Sequence, residues 1–255
     1  MSDLVRSELL KIRTIRSWWA YLIVIVLLSG LAVAGEIGST DDANRGTLDF
    51  QLSLVETTWF AAVLALILAI NFVTTEFRFG TVTPTFLAAP ERERVIGAKT
   101  IVGVVVGIGF SLLSLVVIAA VAVPWLVAIG AETHLGAGEI GTRAAQQILL
   151  AVLWALMGVA IGTLVHNQVA ALVGTLVWIF LGESLLYGLF ILLDLLGLLD
   201  RDTPAAYLPF RALDGADGTG GEDLLEYWPA VAVSLGWIAL LGAVGTLRTR
   251  RRDIS

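Results

Sequence analysis

"TTEFRFGTVTPTFLAAPERERVIGAKT", residues 74–100, decides how this chain is read. It carries two prolines, Pro84 and Pro90, and the charged run Glu91-Arg92-Glu93-Arg94. Yet apolar runs long enough to cross a bilayer flank it on both sides. Read as the connection between two membrane spans, it makes the rest of the chain a multi-span bundle. Read as a soluble loop, it leaves those flanks unexplained.

The composition supports the first reading. Of 255 residues, 57% are hydrophobic and 15% charged, whereas a soluble domain of this size is about one quarter charged. The apolar residues come in blocks of about twenty, the length of a transmembrane helix. Six such runs are expected, at residues 18–35, 57–75, 96–123, 144–165, 168–193 and 228–247. The fold class is therefore an all-α integral membrane protein with six transmembrane helices. The first run is too long for a signal-peptide core. With no cysteine in the chain, disulfide, thiolate and cysteine–metal chemistry are excluded. The 14 Arg against 2 Lys, with 26 Gly, are expected of a GC-rich bacterial, actinobacterial genome.

Charge sets the expected orientation. With both termini in the cytoplasm, 12 of the 16 basic residues fall inside, leaving Arg45, Arg143, Arg201 and Arg211 outside. This is the asymmetry of the positive-inside rule. Trp18 and Trp19 then mark the inner end of the first span, and Trp59, Trp125 and Trp228 mark outer ends. Ahead of the first span, Leu4, Val5, Leu9, Ile12, Ile15 and Trp19 share one helical arc, expected to lie on the membrane surface over residues 1–17. Glu8 interrupts that arc. It is either solvated or paired with Lys11, or it meets a partner or the 74–100 segment.

The two cytoplasmic links are unequal. The fourth and fifth spans are joined by a few residues around His166-Asn167-Gln168, the second and third by about twenty. Within the longer link, Phe79, Val82, Phe86 and Ala89 fall at helical spacing, and Pro84 and Pro90 bracket a short amphipathic helix. Its apolar face needs a cover, either lipid or a cytoplasmic protein.

Glu76, Gly80-Thr81, Leu87-Ala88, Pro90, Arg94 and Lys99 together resemble the first cytoplasmic loop of the ATP-binding-cassette type-2 permeases, the membrane subunits of type V exporters. The resemblance implies that the loop over 76–94 is a coupling helix seated on a separate ATP-hydrolysing subunit. Its contacts would come from Glu76, Arg78, Phe79, Gly80, Thr81, Val82, Phe86, Pro90, Arg92 and Arg94. It further implies a homodimer or heterodimer of permeases in the bacterial cytoplasmic membrane, with ATP and magnesium held by the ATPase partner. This chain would hold no cofactor, bind no nucleic acid and contact membrane lipid. "GAKT" at 97–100 lacks the glycine spacing of a phosphate loop, so the chain is not itself expected to be an enzyme. The whole of 1–255 is then one permease domain.

Within the fifth run, Glu183 sits in a stretch otherwise fit for lipid. A carboxylate at a helix centre costs about 2.5–3.5 kcal/mol on insertion scales and should face protein or water. Gly182 offers a break, which makes 168–182 a span and 184–199 a re-entrant or interfacial helix within an outer segment over 184–227. One long tilted helix is the alternative. Asp214, Asp217, Glu222, Asp223 and Glu226 match no calcium loop and read as a solvated acidic stretch. Gly103/Gly107 and Gly158/Gly162 permit close helix approach. Asn71, Thr75 and Glu183 are the candidates to line a translocation path.

A secondary transporter or channel would need paired ionisable residues at midplane in both halves. An intramembrane enzyme would need a buried constellation of catalytic side chains. Residues 1–125 and 126–255 show no internal repeat, and both histidines fall beside interfaces. The expected function is a permease subunit exporting an amphiphile such as a drug, peptide or lipid.

Overall fold

The structure, a computed structural model, describes residues 2–14, 17–79, 92–134, 136, 138–198, 202–221 and 223–250. Every regular element among them is helical. The chain runs α1 (Ser2–Thr14), α2 (Ser17–Ser39), α3 (Leu48–Glu56), α4 (Trp59–Arg78) and α5 (Arg92–Ala128). It continues with α6 (Gly138–Leu164) and α7 (Gln168–Val177), a π-helical turn over Trp178–Gly182, and α8 (Glu183–Leu195). The short α9 (Asp202–Ala205) and α10 (Pro209–Gly215) precede α11 (Tyr227–Arg250). Six helical stretches are long and apolar enough to span a membrane. The helices overrun the expected apolar runs at most ends, because hydropathy marks only the part of a helix that lies in hydrocarbon. The helix expected between Pro84 and Pro90 lies outside the described residues.

The bundle is organised around α6. Of its most apolar window 67% is buried, against 6% for Gln168–Leu195. Lipid tails are as apolar as leucine, so helices associate in a bilayer through close packing rather than hydrophobic expulsion. The glycines supply it. A Cβ added to Gly158 would stand 2.5 Å from the Leu66 carbonyl oxygen on α4. One added to Gly107 on α5 would stand 2.7 Å from the Ala151 carbonyl oxygen on α6. Both Gly-x-x-x-Gly pairs therefore seat α6 against its neighbours.

The expected break at Gly182 does not occur. Val177, Gly182 and Glu183 all keep right-handed helical dihedrals, and 168–195 is one 28-residue helix with a single π-turn. It stops beyond Leu195, where Gly197 takes φ 65°. There Leu198 N–H donates to the Leu193 carbonyl at 2.9 Å and Gly197 N–H to Asp194 at 2.8 Å, a glycine-terminated C-cap.

Re-entry happens later in the chain. Trp237 Nε1 donates to the Tyr207 carbonyl at 2.8 Å, ten residues or about 15 Å along α11 from its start. Gly215 packs on Ala230, near that start. The segment thus dips to the depth of Trp237 around 207–209 and climbs back along α10. Phe210, at the bottom, packs on Trp154 of α6 with ring centroids 5.5 Å apart.

The sequence reading also missed α3. Thr47 caps it, its hydroxyl accepting from Phe50 N–H at 3.3 Å, and Phe50, Gln51, Leu54 and Val55 are buried. Gln51 pins the next connection, donating to the Glu132 carbonyl and accepting from His134 N–H, both at 2.8 Å.

Candidate functional site

Where α4 ends and α5 begins, four charged side chains form a closed ring. Lys11 of α1 bonds Glu8 one turn back and Glu76 of α4, the latter at 2.7 Å. Lys99 of α5 reaches Glu8 at 2.7 Å and Glu76 at 3.0 Å. Each lysine therefore bridges both carboxylates, and the ring is neutral as a whole. Glu8, Glu76 and Lys99 are buried. The Lys99 ammonium also lies 4.2 Å from the Phe72 ring centroid, within cation–π range. Burial pulls the Lys11 pKa down, but its hydrogen bonds to Glu76 and Glu8 outweigh that and leave it above the ordinary lysine value.

The ring uses both lysines of a chain that otherwise carries only arginine. An ammonium is a compact charge whose donors point to separate acceptors, whereas a planar guanidinium suits two oxygens of one carboxylate. That bias was the available signal, and sequence reasoning took it only as a mark of genome composition. It left Glu8 open between Lys11 and the 74–100 segment. The structure joins it to both, through Lys11 and through Lys99.

A second polar chain runs beside the ring. Asn71 Nδ2 donates to the Tyr21 hydroxyl of α2 at 2.8 Å. Gln168 Nε2 donates to Asn71 Oδ1 at 2.7 Å, and Arg78 donates to Gln168 Oε1 at 3.0 Å. It ties the first, second and fifth spans at one level. Thr75, half-buried on α4, gives its carbonyl to the N–H of Phe79.

The other expected loop contacts are placed only in part. Arg78, Phe79 and Arg94 are exposed, and Arg92 opens α5. Gly80, Thr81, Val82, Phe86 and Pro90 lie outside the described residues.

Glu183 sits far from this ring. It is 5% exposed and its carboxylate accepts three hydrogen bonds. Trp178 Nε1 donates at 3.1 Å, Phe210 N–H at 2.8 Å and Arg211 N–H at 2.9 Å. The last two are free donors at the first turn of α10, where Pro209 contributes none. A carboxylate on the fifth span thus closes the N-terminus of the re-entrant helix.

Six spans and a charged ring at the root of a long connection narrow the field, and the family follows from sequence. The profile described as ABC-2 family transporter protein matches residues 4–182, more than two thirds of the chain. The chain belongs to this family. An ABC-2 family protein of this kind is a multi-pass membrane transport subunit, not itself catalytic, and such subunits generally work with an ATPase. The match takes in α1 from Leu4 onward, all four ring residues and the fifth span as far as Gly182. No individually curated protein matches the chain.

Proposed function

We propose that this ABC-2 protein is the membrane half of an ATP-driven exporter in the bacterial cytoplasmic membrane. Both termini are cytoplasmic in this reading, and two permease subunits, identical or different, associate with two ATPase subunits that hold ATP and magnesium. The ring of Glu8, Lys11, Glu76 and Lys99 carries the reading. The connection over residues 80–91 follows α4, whose last residue Arg78 lies two beyond Glu76, and leads into the helix that bears Lys99. A force applied to that connection by the ATPase reaches α4 and α5 together, and the ring passes it to α1. The three elements move as one block. Buried ion pairs add little net stability over apolar side chains of the same size, which favours a role in fixing relative position.

Glu76, Arg78, Phe79, Gly80, Thr81, Val82, Phe86, Pro90, Arg92 and Arg94 form the ATPase contact in this proposal. Asn71, Thr75 and Glu183 are polar walls of the path. Their hydrogen bonds make Asn71 and Glu183 fixed features of it rather than side chains that swing onto cargo. The fifth span, the least buried of the six, is the face offered to the second permease.

The test is co-purification in mild detergent from the native host. A stoichiometric soluble ATPase, lost when 76–94 is altered, is the expected result. A homogeneous chain with no ATPase under any mild extraction would favour a secondary transporter or channel instead. Gly80→Trp and Arg94→Glu should each abolish transport while the protein still inserts; normal transport in both would remove the coupling role.

A further inference from the structure

Two cavities meet at the ends of the spans on the face that carries α1. One is a mouth of about 730 Å³ that carries Arg78, His166, Gln168 and Arg248 among apolar walls including Phe77, Leu164 and Val165. Among the described residues that line it, none is acidic. It sits at the N-terminus of α7 and at the C-terminal ends of α4, α6 and α11, so its positive character comes from the two guanidinium groups rather than from helix dipoles. The other is an apolar shaft of about 440 Å³ between α6, α7 and α11, roofed by Trp178, Pro209 and Phe210. Leu164 and Val165 line both, so the two cavities adjoin across those residues.

The chemistry changes along this route. The shaft's one hydroxyl, Thr175, already donates to the Ala171 carbonyl at 2.7 Å and offers a ligand no free donor. The shaft runs from Val165 to Met157 along α6, about 12 Å at 1.5 Å per residue. That is slightly less than the ~15 Å hydrocarbon depth of one leaflet. Its volume falls in the range of small-molecule sites, roughly 300–1,000 Å³. Two guanidinium groups at the mouth and hydrocarbon walls beyond them complement one kind of molecule.

We propose that this composite cavity binds an anionic amphiphile with an acyl chain, drawn from the leaflet on the α1 face. The head group meets Arg248, beside Arg78, whose guanidinium is already bonded to Gln168, and the chain fills the shaft as far as Phe210. Calling the molecule cargo rests on the exporter reading; its binding does not.

Gly174 allows the shaft to be closed without disturbing the fold. It lines the cavity, and a Cβ added there meets nothing within 4 Å. The experiment uses the purified full-length chain in phosphatidylcholine nanodiscs, photolabelled with a diazirine derivative of palmitate and with its neutral monoacylglycerol counterpart. Saturable palmitate adducts are expected on residues 157–165 and 170–178, displaced by unlabelled palmitate. Gly174→Phe should remove them while leaving labelling of the exposed α2 residues Ile23, Leu27 and Leu31 unchanged. Arg248→Glu should weaken the palmitate adducts about tenfold, the effect of roughly 1.4 kcal/mol, and spare the neutral probe.

Unsaturable labelling spread evenly over the lipid-facing surface, insensitive to Gly174→Phe, would reduce the shaft to ordinary lipid boundary and overturn the proposal. So would an Arg248→Glu variant that loses its ATPase but labels normally, because the mouth would then be a protein contact. Absence of saturable labelling in the unaltered protein, with ATPase co-purification intact, would sink this site alone. Intact labelling without any ATPase would sink the exporter reading alone.

Discussion

The protein buries carboxylates at two levels and stabilises them by different means. On the α1 face, Glu8 and Glu76 are held by two ammonium groups from side chains on α1 and α5. At the level of the re-entrant segment, Glu183 is held by two backbone N–H groups and an indole N–H. These side-chain pairs join three separate helices, so a displacement of one is passed to the others. Backbone donors at a helix N-terminus are fixed by the helix itself. The first arrangement suits a joint that transmits small displacements, the second a clamp that keeps the re-entrant segment still. The ring also lies at the root of the connection proposed to meet the ATPase, and the clamp lies away from it.

Removing one partner should separate the two most sharply. Lys99→Met leaves two buried carboxylates sharing one partly exposed ammonium, and breaking a buried pair in this way costs about 3–5 kcal/mol. The melting temperature of the detergent-solubilised protein should drop accordingly, and α1 should lose hydrogen-exchange protection first. The double exchange Glu76→Lys with Lys99→Glu should not recover the loss, because it sets Lys11 and Glu8 each against its own charge. If Lys99→Met melts like the parent, the ring is not a joint.

At the clamp, Glu183→Ala strands the amides of Phe210 and Arg211, a cost of about 1–3 kcal/mol for buried unsatisfied donors. Faster exchange is expected at those two amides, with α1 unaffected. Glu183→Gln keeps an acceptor and should lose less. Equal loosening of α1 in Glu183→Ala would mean that the two sites are coupled and that the contrast between them fails. A smaller effect is expected between them. Tyr21→Phe removes one acceptor from Asn71, which stays bonded to Gln168, and should cost about 1 kcal/mol.

The spans were legible because each needs about twenty apolar residues in a row, a signal local enough for sequence to carry. Helix α3 was not, although Thr47 stands where a cap belongs, because nine residues with a half-buried face make no such run. The re-entrant segment was expected, but its place was misjudged. Gly182 beside Glu183 looked like a break, yet the helix continues, because Glu183 finds its donors on Phe210 and Arg211, 27 and 28 residues further on. No local pattern encodes that contact. The ring was half visible. Glu8 was marked as out of place on an apolar arc, but its bond to Lys99 spans 91 residues. Only the lysine usage pointed to the two cations as a set.

The smallest expected effect is a response to pH, and it tests whether the ring stays charged when the protein works. Lys11 in the folded protein has a pKa above its ordinary value of 10.5, since its bonds to Glu76 and Glu8 outweigh the opposing effect of burial. The folded state therefore holds this proton more tightly than the unfolded chain does. The resulting stabilisation is complete below the ordinary lysine pKa and is lost as pH rises through the raised one. Because Lys11 is partly exposed, it amounts to about 1 kcal/mol or less. Protection of the α1 amides, corrected for intrinsic exchange, should stay flat through the neutral and mildly basic range and fall only above 10.5. In Lys11→Gln it should be lower throughout and lack that final fall. The amides of Phe210 and Arg211 serve as the internal reference, because no lysine contributes to the clamp and their protection should follow neither change. A fall in α1 protection well below the lysine range would show that another group controls the joint, and the ring would lose its claim to hold α1 in place.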